Sequence, residues 1–263
     1  MYKMYLKKIF NISVVGIIIM AVVSVFLSEG IGRLSLNPYV HETILQEILR
    51  YNSDDYIKHI SIYNAYNMFN HMIAFTSLYM ILPLLSAPFI ISFCDAENNG
   101  FEKMILYRVG QKNFTVKTLI SCIASCYVLA FAVNIILFLI AIFIFPQGDF
   151  STSEYIWHFL RKWMLTGTLL TGYTGISLLV AVFTRNKFIS IIFSVFLMEI
   201  IQIGLTRNHE LLVVFQSPST YLSLYGNEHI EIRMINLILP VVVIAVEFIA
   251  CYFGMMKRRV YGD

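Results

Sequence analysis

Six long apolar stretches separated by short polar interruptions set the outline of this chain. They run from Ile9 to Leu27, Met72 to Cys94, Leu119 to Phe145, Trp163 to Phe183, Phe188 to Leu205 and Ile235 to Met256. A hydrocarbon core of about 30 Å needs roughly 20 apolar residues per helix, and each stretch meets or approaches that length. The expected fold is therefore an all-α membrane protein with six transmembrane helices, a single domain over residues 1–263. Arg185-Asn186-Lys187 leaves so little chain between the fourth and fifth spans that they must form an antiparallel hairpin.

The segments between spans differ in kind. From Ser28 to His71, Tyr39, Thr43, Leu45, Ile48, Leu49 and Tyr56 come close to helical spacing, with Glu42, Glu47, Asp54 and Asp55 available for the wet side. Both an amphipathic helix on the outer membrane surface and a loop capping the helix ends fit that pattern. Pro146 to Lys162, with turn chemistry in Pro146-Gln147-Gly148-Asp149 and an interfacial Trp157, is expected to be a plain connection. Leu211 to Leu224 is too apolar for a solvated loop and too short to cross, and Pro218 interrupts it. Two short helices dipping into the outer leaflet, or an interfacial loop, would satisfy it. Pro83, Pro88 and Pro240 are expected to kink the second and sixth spans.

Composition agrees with the pattern. The chain is 58% hydrophobic and only 13% charged, with a mean hydropathy of +0.73, outside the range of a soluble globular domain. The first span follows Lys3, Lys7 and Lys8, as a signal peptide would. Its apolar run is longer than the usual h-region of about 7–15 residues, and Ser28-Glu29-Gly30-Ile31 makes a poor cleavage site, so a retained helix is expected.

Charge sets the orientation, because short cytoplasmic flanks accumulate Lys and Arg. With both termini inside, twelve of the nineteen basic residues fall on inner flanks against four acids, a surplus of about eight positive charges. The outer segments hold seven basic and ten acidic residues. The formal net charge of +3 thus reflects topology, and the basic residues are too divided among loops to make a nucleic-acid surface. Cys94, Cys122, Cys126 and Cys251 lie in or beside apolar spans, where cysteine acts as a small buried hydrophobe.

The motifs of soluble catalysis are missing. No Gly-x-x-x-x-Gly-Lys-Ser/Thr loop can cradle a nucleotide, and no His-Glu-x-x-His or Gly-x-Ser-x-Gly pattern occurs. The chain is expected to be neither an enzyme nor a holder of a metal or cofactor. Two carboxylates, Glu199 and Glu247, fall inside spans, where an ionisable group normally faces protein or water. They could contact a substrate or relay a proton, or be hydrogen-bonded to neighbouring hydroxyls. The fourth span carries Thr166, Gly167, Thr168, Thr171, Gly172, Thr174 and Gly175, small residues that let helices approach closely. Thr171 and Thr174 are also candidates for a substrate pathway alongside the two glutamates.

The charged interruption from Asp95 to Lys117 is the most informative segment. Phe101, Met104, Ile105 and Arg108 fall on one face of a short helix, with Asn98-Asn99-Gly100 before it and Gly110 at its exit. Glu97, Asn99-Gly100, the apolar turn Met104-Ile105-Leu106 and the run from Arg108 to Lys117 resemble the signature after the second span of ABC-2-type permeases, the membrane subunits of a class of ABC exporters. The similar segment there reads acidic residue, Asn-Gly-Thr, apolar helix, basic turn and Lys. Phe101 departs from the usual Thr, and Arg108-Val109-Gly110 from the Pro or Ser that often follows.

The resemblance covers nearly the full length and implies a type V exporter-like fold. It implies that residues 97–108 form a cytoplasmic coupling helix, with Glu97, Asn99, Gly100, Phe101, Met104, Ile105 and Arg108 docking an ABC ATPase. Two ATPase copies would carry ATP and Mg²⁺, and a second permease copy or paralogue would complete the complex. The function it implies is export of a peptide, drug or lipid-like compound across the cell membrane. The abundance of Ile, Asn, Tyr, Phe and Lys resembles a Gram-positive bacterium of low GC content, where similar permeases often export or resist antimicrobial peptides. The rivals are a non-transporting membrane scaffold or sensor and an ion-coupled secondary transporter.

Overall fold

A computed structural model describes residues 12–28, 43–53, 63–74, 85–98, 108–146, 151–206 and 234–261. These residues form eight helices and no β-strand: α1 (Ile12–Phe26), α2 (Ile44–Ser53), α3 (Ala65–Ala74), α4 (Ala87–Asn98), α5 (Gln111–Ile144), α6 (Thr152–Thr184), α7 (Lys187–Thr206) and α8 (Met234–Tyr261). Residues 99–107, Pro83 and the apolar segment 211–224 lie outside the described residues.

Helices α5 and α6 are the ones long and apolar enough among the described residues to cross a membrane, by length and composition. At 34 and 33 residues they would each extend about 50 Å, well beyond a hydrocarbon core of about 30 Å. The excess falls at opposite ends. α5 begins at Gln111, ahead of the expected Leu119, and α6 begins at Thr152.

The second extension corrects the expectation of a plain connection over Pro146 to Lys162. Ser151 is an N-cap whose hydroxyl accepts from the Glu154 N–H, while the Glu154 carboxylate accepts from the Ser151 N–H at 2.6 Å. That reciprocal capping box satisfies two backbone donors and starts the helix well before the apolar stretch.

The pairs between α5 and α6 run in opposite sequence order, so the helices are antiparallel. Tyr127 meets Trp163 and Thr168, Phe131 meets Phe159 and Trp163, and Phe138 meets Phe159. The Trp163 indole N–H donates to the Tyr127 carbonyl at 2.9 Å. α8 lies along α6 in the parallel sense, with Gly172 against Ile244, Gly175 against Glu247, and Gly254 against Val182. Glycine at these crossings admits a neighbouring side chain to the helix backbone, as the density of small residues in this span predicted.

One end of the bundle, the basic end, carries Lys112, Arg185, Lys187 and Lys257, whereas Arg161 and Lys162 lie toward the other. Gln111 at the start of α5 donates to the Met256 carbonyl of α8 at 3.0 Å, and Lys187 pairs with Asp95 at 3.0 Å. Lys112, Arg185 and Lys257 are neighbours in sequence of these contacts, so residues assigned to the inner flank by charge lie at one end. The α6–α7 hairpin turns there on Arg185, which adopts φ 57°.

The opposite end is capped by α2 and α3. The Ile44 N–H donates to the Ser28 carbonyl and the Ala65 N–H to the Pro146 carbonyl, each at 2.9 Å. Tyr51 lies 4.9 Å from Phe145 and 6.2 Å from Tyr63 between ring centroids. The wet face expected for α2 is turned: Glu47 is buried beside Ile44, Ile48 and Tyr51, while Leu45 and Leu49 are exposed. The burying surface is supplied by the ends of α1 and α5, so it selects the Ile44–Ile48–Tyr51 side.

Pro88 sits in the first turn of α4, where its missing N–H removes no bond within that helix, and the helix is interrupted at Ser86, between helical Leu85 and Ala87, inside the expected second span. α8 continues across Pro240.

Candidate functional site

The basic end brings together the described flanks of the charged segment. α4 runs to Asn98, carrying half-buried Asp95 and Glu97 in its last turns. Lys187 Nζ donates to Asp95 Oδ1 at 3.0 Å, and Asn98 Nδ2 reaches the Arg185 carbonyl at 3.5 Å. The two partners of α4, the Lys187 ammonium and the Arg185 carbonyl, sit where α6 ends and α7 begins. Of the residues expected to dock a partner, Glu97 lies on this end of α4 and Arg108 is exposed where the described chain resumes. Asn99, Gly100, Phe101, Met104 and Ile105 lie outside the described residues.

Gly110 divides Arg108 and Val109 from α5. Its φ of 79° and ψ of 146° suit glycine, and its carbonyl accepts from the Phe114 N–H. Phe114 is fully buried, and Gln111 is tied to α8. The exit signal read at Gly110 is thus a real break in direction.

The interior candidates fall on the α5–α6–α8 seam. Thr171 and Thr174 are buried, and their hydroxyls donate back to the Gly167 and Leu170 carbonyls at 2.7 Å each. Cys126 Sγ donates to Thr174 Oγ1 at 3.2 Å from α5, and Cys251 Sγ donates to the Gly175 carbonyl at 3.6 Å from α8. Glu247 joins them, its Oε2 buried against Gly175 with no hydrogen-bond partner among the described residues. Glu199 lies in α7, and its side chain falls outside the described set. These groups make a tight helix crossing whose hydroxyls are engaged. The four cysteines are all buried, and among the described residues no group of three or more His, Cys, Asp or Glu side chains is placed to hold a metal ion.

Sequence reasoning missed a polar cluster in the outward extension of α6, ahead of the apolar stretch that starts at Trp163. His158 is buried between Tyr66 and Phe69 of α3, with centroids 4.0 and 5.8 Å away. Its Nε2 has no hydrogen-bond partner among the described residues. Burial lowers its pKa to about 3, helped by the charges of Lys162 and Arg161. Lys162, one turn further, is fully buried, and burial followed by the Arg161 charge lowers its pKa to about 7. Ser151-x-x-Glu154 was the available signal, since it places His158 and Lys162 one turn apart on a continuing helix.

The chain matches no protein-family model, no curated protein and no solved structure.

Proposed function

We propose that this chain is the membrane-spanning subunit of an ATP-driven exporter, a six-span permease whose energy comes from a separate ATPase. The observation that carries this reading is the charged segment between α4 and α5, whose sequence resembles the coupling segment of ABC-2-type permeases. Its described flanks support the reading, because both are fastened to other helices at the basic end, through Asp95–Lys187 and Gln111–Met256. A segment held at both ends by the helix bundle is suited to passing a push into it.

The surface supports a lipid environment. Large apolar side chains stand exposed along α1, α5, α7 and α8, among them Met20, Phe143, Phe188, Phe196 and Phe253. Such an area in water would be an extreme exposed patch. With the basic end in the cytoplasm, the segment faces the compartment that holds ATP. ATP binding would draw two ATPases together, press on two permease copies and release a peptide, drug or lipid-like compound on the outer side.

The test is affinity purification of the tagged full-length chain from its native host in mild detergent, beside Met104→Asp/Ile105→Asp. An ATPase that accompanies the wild type and is lost from an equally abundant, monodisperse variant supports the reading. A wild-type chain that is intact and carries no ATPase overturns it and favours a scaffold or an ion-coupled carrier.

A further inference from the structure

The basic end holds a contact that the composition of its loops does not announce. Asp95 and Lys187 are far apart in sequence, and their side chains are 45% and 36% exposed, yet they meet at 3.0 Å. Asn98, one turn beyond Asp95, reaches the Arg185 carbonyl from the same face of α4. Two residues of one helix end thus grip two residues of one turn.

That turn is stiff. Arg185 takes the left-handed conformation while its N–H donates to the Ala181 carbonyl at 3.0 Å. The Asn186 side-chain oxygen accepts from the Phe188 and Ile189 N–H groups at 3.0 and 3.3 Å, capping α7. The Asn186 N–H donates to Thr184 Oγ1, and Ser190 Oγ donates to the Asn186 carbonyl at 2.7 Å. Hydrogen bonds therefore join the end of α6 and the start of α7 into one unit. At the other end of α4, Ser86 Oγ lies 3.5 Å from Ser177 Oγ of α6. α4 also packs along α6 and α7.

We infer that Asp95 and Lys187 are a positioning pair that carries displacement of the inner end of α4 into the α6–α7 hairpin. This rests on the proposed function, since it concerns how the push of a partner ATPase reaches the transmembrane helices. An ion pair suits that role. Each residue is exposed enough that the bond adds little to stability and can re-form in a new geometry, while the short turn leaves Lys187 no slack of its own. Gln111–Met256 supplies a matching tie from α5 to α8 on the return side of the segment.

A charge-reversal cycle tests it. The full-length permease with its co-purifying ATPase is reconstituted in nanodiscs as wild type, Asp95→Lys, Lys187→Asp and the double exchange. Three quantities are read: ATPase retained per permease, thermal midpoint, and ATP turnover relative to the isolated ATPase. Each single reversal is expected to keep the ATPase and the thermal midpoint while reducing the permease-dependent change in turnover at least fivefold. The double exchange is expected to restore it to within twofold of wild type. Single variants that change turnover by less than twofold, or a double exchange that fails to restore it, would overturn the positioning role while leaving the exporter reading intact. Single variants that lose the ATPase or melt early would show a docking or structural role and also overturn it. A wild-type permease that brings no ATPase removes the exporter reading and this inference together.

Discussion

Gly175 of α6 and Glu247 of α8 approach so closely that a Cβ built on the glycine would lie 2.6 Å from the glutamate Oε2. The same Cβ would meet Phe248 at 3.2 Å, so the crossing is closed by a carboxylate and a ring. Gly175→Ala is expected to be nearly neutral. The carboxyl can swing away, and alanine gains about 1 kcal/mol of helix propensity over glycine. Gly175→Leu cannot be accommodated that way and is expected to lose about 1–3 kcal/mol through overpacking. Thermal unfolding of the detergent-solubilised variants checks the contrast. A Gly175→Leu protein as stable as wild type would show that α6 and α8 do not cross here.

Gly167 gives the opposite result for alanine. A Cβ there would lie 2.5 and 2.6 Å from the Tyr127 ring and 3.1 Å from its Cγ. The ring is held by the Tyr127 hydroxyl against Thr168 Oγ1 at 3.0 Å and by edge contact with Trp163. Gly167→Ala is therefore expected to destabilise by about 1–3 kcal/mol. Tyr127→Leu should absorb much of that penalty, giving a double-mutant coupling of roughly 1 kcal/mol or more. Additive effects in the melting cycle would remove the ring as the obstacle.

What the sequence made legible follows from what each pattern encodes. Continuous apolar length announced α5 and α6 as helices long and apolar enough to cross a membrane, and the three-residue link at Arg185 announced the hairpin, because no longer path exists. The glycines of α6 announced close crossings, though not which of them would meet Tyr127 and which Glu247. Helix starts were harder. Ser151-x-x-Glu154 precedes a stretch holding His158, Arg161 and Lys162, so hydropathy began the span at Trp163 although capping chemistry begins the helix at Ser151. The rotation of α2 was illegible for a different reason. Leu45 and Glu47 are placed by the surface that α1 and α5 offer, which no local pattern contains. The Asp95–Lys187 pair is a long-range contact of the same kind.

The capping box itself is testable by pH. Hydrogen bonds from the Ser151 backbone and hydroxyl lower the Glu154 pKa below its usual 4.5. A carboxylate with a lowered pKa adds stability at pH values above its unfolded pKa, and that contribution disappears as pH falls through the folded value. Glu154→Gln is expected to reduce protection of the first turn of α6 at neutral pH and to have no effect at strongly acidic pH. Hydrogen–deuterium exchange over residues 151–158 reads this directly. Equal protection in both proteins at pH 7 would exclude a contribution from the carboxylate.

His158 predicts a broader pH dependence. Its pKa is held at about 3, against 6.5 for the unperturbed group, by burial and then by the Lys162 and Arg161 charges. Between those values the unfolded chain binds a proton that the folded chain does not, so stability rises with pH across the window and falls on acidification. His71, also lowered by burial to about 4, acts over an overlapping range. Lys162 acts in the same direction at higher pH, between about 7 and its ordinary 10.5. Phenylalanine at position 158 keeps a ring between Tyr66 and Phe69 and removes the proton acceptor. His158→Phe should match or exceed the wild-type melting temperature at pH 7. It should exceed it more clearly at pH 5, with part of the acid dependence left to His71. Melting curves of both proteins at the two pH values decide the matter: an unchanged difference between pH 7 and pH 5 would place the acid sensitivity elsewhere.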